Sequence, residues 1–163
     1  MRKCFFLLMV TVLCGLVSSP LFGQSATDVI ELTRAVIQAE RQAIVAKTMQ
    51  LTEQEGNVFW PIYRQYRGEL AGVGDRWVKL IKTYAENFEN LSEEMAEHII
   101  TEHFNIERAN LDVRVKYIPR FKEALSTVKV ARFYQIENKL DAVVDYDIAE
   151  AVPLIGYASQ DLE

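Results

Sequence analysis

Hydrophobic residues recur every three or four positions along most of the chain, which is the spacing of amphipathic helices. From Asp28 to about Met49 this spacing predicts a first helix, with Thr27 or Asp28 placed to cap its start. Its polar side carries Glu31, Arg34, Gln38 and Arg41. Its apolar side is expected to carry aliphatic residues and small alanines, which let a neighbouring helix approach closely: Val29, Leu32, Val36, Ala39, Ala43 and Ala46.

A second, long helix is expected to begin at Thr52, whose hydroxyl can cap it while Glu55 reaches back in a capping box. The following apolar positions are spaced alternately by four and three residues, so they predict a seam that packs against another helix at a small crossing angle. They are Phe59, Tyr63, Tyr66, Leu70, Val73, Trp77, Leu80, Tyr84, Phe88 and Leu91. The favoured interpretation of this seam is a core built from large residues. Because the seam is largely aromatic, a dimer face or a partly exposed groove is the alternative.

The same rhythm predicts two more helices and therefore an all-α fold of four helices. The third begins at Ser92, and its apolar seam is predicted at Ile100, Phe104, Leu111, Ile118, Phe121 and Leu125. Glu107 and Arg114 occupy the intervening seam positions and are expected at the edge of the apolar face. The fourth follows Ser126 or Thr127, ends before Pro153 and carries Phe133, Ile136, Leu140, Val144 and Ile148.

Two prolines, Pro61 and Pro119, fall inside the helical patterns. Each ring removes a backbone hydrogen bond and clashes with the carbonyl four residues earlier. Both long helices are therefore expected to bend, giving a curved hairpin or cradle, although two helix breaks would produce almost the same pattern.

The first residues are typical of a secretory signal peptide. Arg2 and Lys3 precede an apolar run, and Gly23-Gln24-Ser25 offers small residues around a cleavage point. The run is shorter than the roughly 20 residues of a membrane-spanning helix, so no stable membrane insertion is expected after cleavage. We predict a signal peptide over residues 1–25, a single helical domain over 26–152, a flexible C-terminal tail over 153–163, and a periplasmic location.

Composition narrows the function classes. The chain has 163 residues, which suits one domain, and its only cysteines are Cys4 and Cys14, so the predicted mature part holds no disulfide, cysteine nucleophile or cysteine-based zinc site. Without the signal peptide the chain has 16 basic and 23 acidic residues, which gives a net charge of −7. Nucleic acid is therefore not expected as a partner, because phosphate binding depends on lysine and arginine.

Candidate chemistry is sparse. The only histidines, His98 and His103, are five residues apart, whereas two ligands on one helix face prefer a spacing of three or four. No nucleophile elbow, glycine-rich phosphate loop or HExxH motif is present, so neither an enzyme nor a cofactor is predicted.

Basic residues concentrate in the second half of the third predicted helix and at the start of the fourth, at Arg108, Arg114, Lys116, Arg120, Lys122, Lys129 and Arg132. No basic residue follows Lys139. Two solvated helix faces that complement each other are the favoured interpretation, and a basic patch that holds an acidic or unfolded partner is the alternative.

Two short segments carry a family resemblance. Leu51-Thr52-Glu53-Gln54-Glu55 resembles the LTxxQ motif of the small periplasmic Spy/CpxP proteins, and Leu125-Ser126-Thr127-Val128-Lys129 resembles a degenerate second copy. Glu55 and Lys129 stand where the motif has glutamine, and Ser126 where it has threonine. Residues 129–139 also look like the C-terminal signature of a group of exported bacterial proteins near that family.

The resemblance implies a curved homodimer that binds unfolded clients without ATP, or that associates with an envelope-stress sensor in the membrane. On this basis we expect a chaperone or envelope-stress accessory, with a client or partner face formed by Phe59, Trp60, Tyr63, Arg108, Arg114, Lys116 and Arg120. The motifs place helix caps at Leu51, Thr52, Glu55, Leu125 and Ser126. The alternatives are a metal- or signal-responsive sensor that uses His98 and His103, and a structural envelope protein that dimerises through the aromatic seam.

Overall fold

The protein folds as an all-α structure. A computed structural model describes residues 40–155 together with Leu32 and Val36. Within these residues α1 runs through residues 40–49, α2 is Glu53–Asn87, a 3₁₀ turn is Phe88–Asn90, α3 is Glu93–Ala124 and α4 is Thr127–Ala151, with no strand. None of these helices combines the length and hydropathy needed to span a membrane. The predicted signal peptide and the end of the predicted tail lie outside the described residues.

The predicted starts of α2, α3 and α4 are confirmed by their caps, whereas the predicted start of the first helix at Thr27 or Asp28 lies outside the described residues. At α2 the Glu55 N–H donates to Thr52 Oγ1 at 3.3 Å, and the Thr52 N–H donates to Glu55 Oε2 at 2.9 Å, which completes the capping box. Ser92 Oγ accepts from the Met95 N–H at the start of α3, and Ser126 Oγ caps α4 in the same way. Orphan backbone donors are thus satisfied at each start.

The helices α2 and α3 continue through Pro61 and Pro119, so the alternative of two helix breaks is wrong. Both prolines are exposed, as are Asn57 and Val115 four residues before them. The carbonyls that lose their helical partner therefore lie on the solvent side, where water can hydrate them.

Contacts between the helices fix their directions. Lys116 of α3 pairs with Glu69 of α2, and Arg76 of α2 pairs with Glu102 further back in α3, so these two helices are antiparallel. By contrast, α2 and α4 run in the same direction, because the Phe59 ring meets Phe133 near their starts and Tyr84 meets Pro153 beyond the end of α4.

An aromatic core lies where α1, α2, α3 and α4 meet. Phe133 is fully buried, and its ring centroid lies 4.6 Å from that of Phe121 and 5.4 Å from that of Phe59. The buried members of this cluster are Val45, Met49, Phe59, Ile62, Tyr63, Tyr66, Leu70, Tyr117, Phe121, Leu125, Val130, Phe133 and Ile136. This part of the α2 seam is therefore intramolecular core, as the favoured interpretation predicted.

A smaller apolar cluster holds the other end of α2 against α4. Ile81 and Ile148 are its buried members, and Trp77, Val78, Val144 and Val152 pack around them. The Tyr84 hydroxyl donates to the Pro153 carbonyl at 2.8 Å, which fixes the chain just after α4.

The predicted apolar face of α1 is wrong. Ala43 and Ala46 are exposed, while Val45 and Met49 are fully buried and Arg41 is 3% exposed. Leu32 and Val36 are also exposed. Burying the larger side chains removes more apolar surface from water than burying alanines, so the helix turns its i, i+4 row of larger residues inward.

The first half of the predicted α3 seam is also wrong. Ile100, Phe104 and Leu111 are more than half exposed, and the buried residues are Ile106, Tyr117 and Phe121. Two faces of α3 carry apolar residues with helical spacing, and periodicity alone does not show which of them α2 covers.

Two ion pairs between helices lower glutamate pKa values. Lys129 Nζ donates to Glu55 Oε2 at 2.6 Å, and this bond is the main reason why the pKa of Glu55 is lowered. Lys116 Nζ donates to Glu69 Oε1 at 2.8 Å and is likewise the main cause of the lowered pKa of Glu69. The Tyr117 hydroxyl also donates to Glu69.

These pairs predict an acid-sensitive share of stability. Because the folded pKa of Glu55 lies below the ordinary value of 4.5, its pairing stabilises the fold above that pH and is lost as the pH falls through the folded pKa. The variant Glu55→Gln keeps an acceptor for the Thr52 N–H but has no charge for Lys129. It should lose less stability than the wild type between about pH 7 and about pH 3, as measured by urea unfolding.

The matched control is Glu53→Gln, which removes an exposed carboxylate from the same helical turn. It should keep the wild-type pH dependence. An acid loss in Glu55→Gln as large as that of the wild type would contradict the assignment.

Candidate binding groove

A groove of about 980 Å³ lies among α2, α3 and α4, with one contribution from α1. Its volume is at the upper end of the roughly 300–1,000 Å³ of small-ligand pockets. One part of its lining is apolar and another is charged, so the groove can contact both kinds of group on one ligand.

The apolar part is built on helical spacing. Along α2 the residues Leu70, Val73, Trp77 and Val78 line it, and Val144 and Ile148 line it from α4. Phe104 and Leu111 form its edge on α3. Val73, Trp77 and Val144 are only half-buried, so the folded chain presents their apolar surface to solvent.

The charged part contains an ion network with a residue from every helix. Arg41 Nη2 of α1 lies 2.6 Å from Asp141 Oδ1 of α4, and Arg67 Nη1 of α2 lies 3.2 Å from Glu137 Oε2 of α4. Arg114 of α3 donates to Asp141 and, at 2.9 Å, to Asn138 Oδ1. Three guanidinium groups and two carboxylates thus tie the four helices together.

Two members of this network, Arg41 and Glu137, are almost completely shielded from solvent. Arg41 is 3% exposed and Glu137 is fully buried. Arg41 Nη1 lies 3.2 Å from Glu137 Oε2, close enough for an ion pair but without hydrogen-bond geometry. Burial alone would lower the pKa of Arg41, but the carboxylates of Glu137 and Asp141 outweigh it and raise that pKa above its ordinary value.

Some polar atoms beside the network have no hydrogen-bond partner among the described residues. They are Arg41 Nε and Nη1, Glu137 Oε1 and the Tyr66 hydroxyl. Burial, and after it the charge of Glu137, raises the pKa of Tyr66, so its hydroxyl remains protonated and able to donate. One turn further along α4 than Asp141, burial and the nearby carboxylates of Asp141 and Glu107 raise the pKa of Asp145.

Two of the three aromatic residues predicted for the client face are buried. Phe59 and Tyr63 are 0% and 3% exposed, and half-buried Trp60 packs edge-on against Phe59 at 5.0 Å. Their large rings fill the space where α2 meets α3 and α4, which is the reason for their burial. Phe59 and Tyr63 are therefore core residues that the folded chain does not present to a client, whereas Trp60 keeps part of its surface in solvent.

The predicted basic residues do not gather into one patch. Lys116 pairs with Glu69, and Arg120 donates to Gln65 at 2.7 Å and lies over the Tyr117 ring. Arg114 belongs to the ion network, while Arg108 is exposed and lines the groove. Of the predicted face, only Arg108 and Arg114 line the groove.

The two motif copies lie beside each other. Leu51 packs against the aromatic core, and Leu125 is buried within it. The fifth position of one copy contacts that of the other, because Glu55 pairs with Lys129 across 74 residues of sequence. The predicted caps at Thr52 and Ser126 therefore start α2 and α4 at neighbouring points.

The two histidines have different surroundings. His98 is exposed, whereas the His103 ring lies 5.2 Å from that of Trp77 and 5.0 Å from that of Phe104. Over the described part of the chain, no three side chains of histidine, cysteine, aspartate or glutamate form a group suited to a metal ion.

The ion network was not predicted from the sequence. Arg41 was placed on the polar side of the first helix, and Glu137 was not singled out. One signal was available, since Glu137 and Asp141 follow Phe133 at intervals of four residues and so share its face of α4. A carboxylate on an apolar helix face needs a buried partner.

Comparisons with protein-family models, with curated proteins and with solved structures find no match for this chain. The Spy/CpxP resemblance therefore stays a prediction that rests on the motifs and the layout of the helices.

Proposed function

We propose that this chain is an exported helical protein that binds unfolded polypeptide segments in the groove, without ATP or another cofactor. The observation that carries the proposal is the solvent-open apolar lining of Val73, Trp77 and Val144 beside charged side chains. Such a lining suits a chain that exposes apolar side chains and backbone polar groups at the same time. A native globular partner presents both far less.

The apolar part and the charged part of the groove would each contribute to client binding. Burial of client side chains against Trp77 and Val144 contributes about 25 cal/mol per Å² of apolar surface removed from water. Asn138, Asp145 and Arg108 lie on the charged side and offer acceptors and donors to the client backbone. Shallow apolar contact with few fixed partners favours weak, sequence-tolerant binding, which is what a holding chaperone needs.

The proposed setting is the periplasm, where the predicted signal peptide would deliver the chain. Unfolded or envelope proteins are the proposed clients. Binding in the groove consumes no nucleotide, which agrees with the absence of a phosphate-binding loop from the sequence.

The test is suppression of aggregation of a reduced, unfolding client by the purified protein. In the variant Val73→Lys, Val144→Lys, ammonium groups enter the apolar part of the groove. The matched control is Val128→Lys, Val143→Lys, which makes the same chemical change at two exposed residues outside the groove lining.

We expect the groove variant to need about tenfold more protein for the same suppression, a loss of about 1.4 kcal/mol in binding. The control should match the wild type. Far-UV circular dichroism and thermal unfolding check that both variants remain folded. Absence of suppression by the wild type, or equal activity of the two folded variants, would refute the proposal.

A further inference from the structure

Outside the ion network, the described lining of the groove carries mostly negative charge. The carboxylates there are those of Glu107, Asp112 and Asp145, and the basic group is that of Arg108. None of these four residues forms an ion pair with another described residue. Because residues i and i+1 of a helix do not face each other, Arg108 does not neutralise its neighbour Glu107. The groove therefore retains carboxylates that can pair with a ligand.

Glu107 of α3 and Asp145 of α4 belong to the same stretch of the groove. The ion pair of Arg114 with Asp141 joins these two helices. They are antiparallel to each other, because α2 is antiparallel to α3 and parallel to α4. Glu107 precedes Arg114 by two helical turns and Asp145 follows Asp141 by one turn, so both carboxylates lie on the same side of that pair.

The charges around Asp145 favour an added cation. Burial is the main reason why the pKa of Asp145 is raised, and the carboxylates of Asp141 and Glu107 raise it further. The guanidinium groups of Arg114 and Arg41 act in the opposite direction, but each has a smaller effect than either carboxylate. A cation at this point would offset the repulsion among the carboxylates.

An apolar wall adjoins the same two carboxylates. The Trp77 ring lies 5.2 Å from that of His103, which precedes Glu107 by one turn. Trp77 also packs against the cluster that contains Ile148, and Asp145 precedes Ile148 by three residues. Trp77 is half-buried and lines the groove, and aromatic faces attract cations. This stretch of the groove can therefore hold a cationic group and an apolar side chain next to each other.

We propose that the groove selects unfolded segments in which a lysine or arginine lies next to apolar residues. The cationic group lies between Glu107 and Asp145, and the apolar neighbours pack on Trp77 and Val144. This inference rests on the proposed function and adds the class of segment that is bound. An acidic segment would bring a carboxylate against Glu107 and Asp145, and such like-charge contacts are unfavourable. The preference is therefore opposite to that of the basic patch considered from the sequence.

The test measures binding of labelled, unstructured peptides to the purified full chain by fluorescence anisotropy. Three peptides share one sequence rich in apolar residues and carry lysine, glutamine or glutamate at the same two central positions. The lysine peptide should bind about tenfold more tightly than the glutamine peptide, and the glutamate peptide should bind most weakly. A fourth peptide keeps the lysines but has serine in place of the apolar residues, and it should also bind about tenfold more weakly than the lysine peptide.

The variant Glu107→Gln, Asp145→Asn should bind the lysine peptide no more tightly than the glutamine peptide. Its affinity for the glutamine peptide should stay at the wild-type value. The matched control is Glu123→Gln, Glu150→Gln, which removes two exposed carboxylates of α3 and α4 outside the groove lining. It changes the net charge by the same amount but should keep the wild-type preference for lysine. Circular dichroism confirms that both variants are folded.

Equal binding of the lysine, glutamine and glutamate peptides would overturn the charge preference and leave the proposed function standing. A preference for the glutamate peptide, or an equal loss of preference in the groove variant and the control, would overturn it as well. Equal binding of the fourth peptide and the lysine peptide would show that the apolar neighbours are not needed. If none of the peptides binds to the wild type, both the preference and the proposed function are wrong.

Discussion

The variant Glu137→Ala is expected to lower the free energy of unfolding by about 3–5 kcal/mol, because it leaves buried guanidinium charge without its partner. Glu137 is fully buried and lies 3.2 Å from both Arg41 and Arg67. Asp141 remains for Arg41 but already receives Arg114. Urea unfolding followed by circular dichroism gives the change directly.

Two controls distinguish the effect of leaving a buried charge unpaired from the effect of removing a carboxylate as such. Glu150→Ala removes an exposed carboxylate from the same helix and should change stability by less than about 0.5 kcal/mol. Replacing both partners, as Arg41→Met with Glu137→Leu, should recover much of the loss, because neither charge is then left buried alone. Equal stability of Glu137→Ala and Glu150→Ala would show that the network contributes nothing.

The variant Phe133→Ala should cost a similar amount, about 3–5 kcal/mol, through lost burial and the cavity that remains. Its ring is fully buried and contacts aromatic rings from α2, α3 and α4, with centroid distances between 4.6 and 6.0 Å. Because these neighbours come from different helices, they cannot collapse into the space together. The measurement is the urea midpoint together with the unchanged slope of a two-state transition.

The matched control is Phe104→Ala, the same truncation at a ring that is 61% exposed. It should cost the folded monomer less than about 1 kcal/mol, since little buried surface is lost. A Phe133→Ala variant as stable as Phe104→Ala would contradict the aromatic core described above.

Local chemistry made the helix starts predictable. Thr52, Ser92 and Ser126 can each accept a backbone N–H three residues ahead, and this requirement does not depend on the rest of the fold. The apolar face of α4 was equally predictable, because its large residues occupy one stripe and Phe133 and Ile148 are both buried.

Prediction failed where one helix offers two apolar faces. On α1, one face carries alanines and another carries Val45 and Met49. The face with the larger side chains is the one buried in the core. On α3, Tyr117 and Phe121 face α2 while Phe104 and Leu111 face solvent, although both rows have helical spacing. Only the position of the neighbouring helix decides between such faces, and periodicity holds no information about it.

The residues of the candidate site could not be predicted for a related reason. Aromatic and basic residues suggested a client face. In the structure the rings of Phe59 and Tyr63 are buried in the core, and Lys116 forms an ion pair with Glu69 of α2. The groove takes residues from separate helices. Its lining therefore emerges only from the tertiary arrangement.

The most direct test of the proposed function compares two adjacent residues of α4. Val144 lines the groove, whereas its neighbour Val143 is 54% exposed and lies outside the lining. A photo-crosslinking residue is introduced at either position, and each protein is irradiated with a reduced, unfolded client. The account predicts crosslinking to the client from position 144 and little from position 143. Equal yields at both positions, a higher yield at 143, or no crosslinking at either would contradict it.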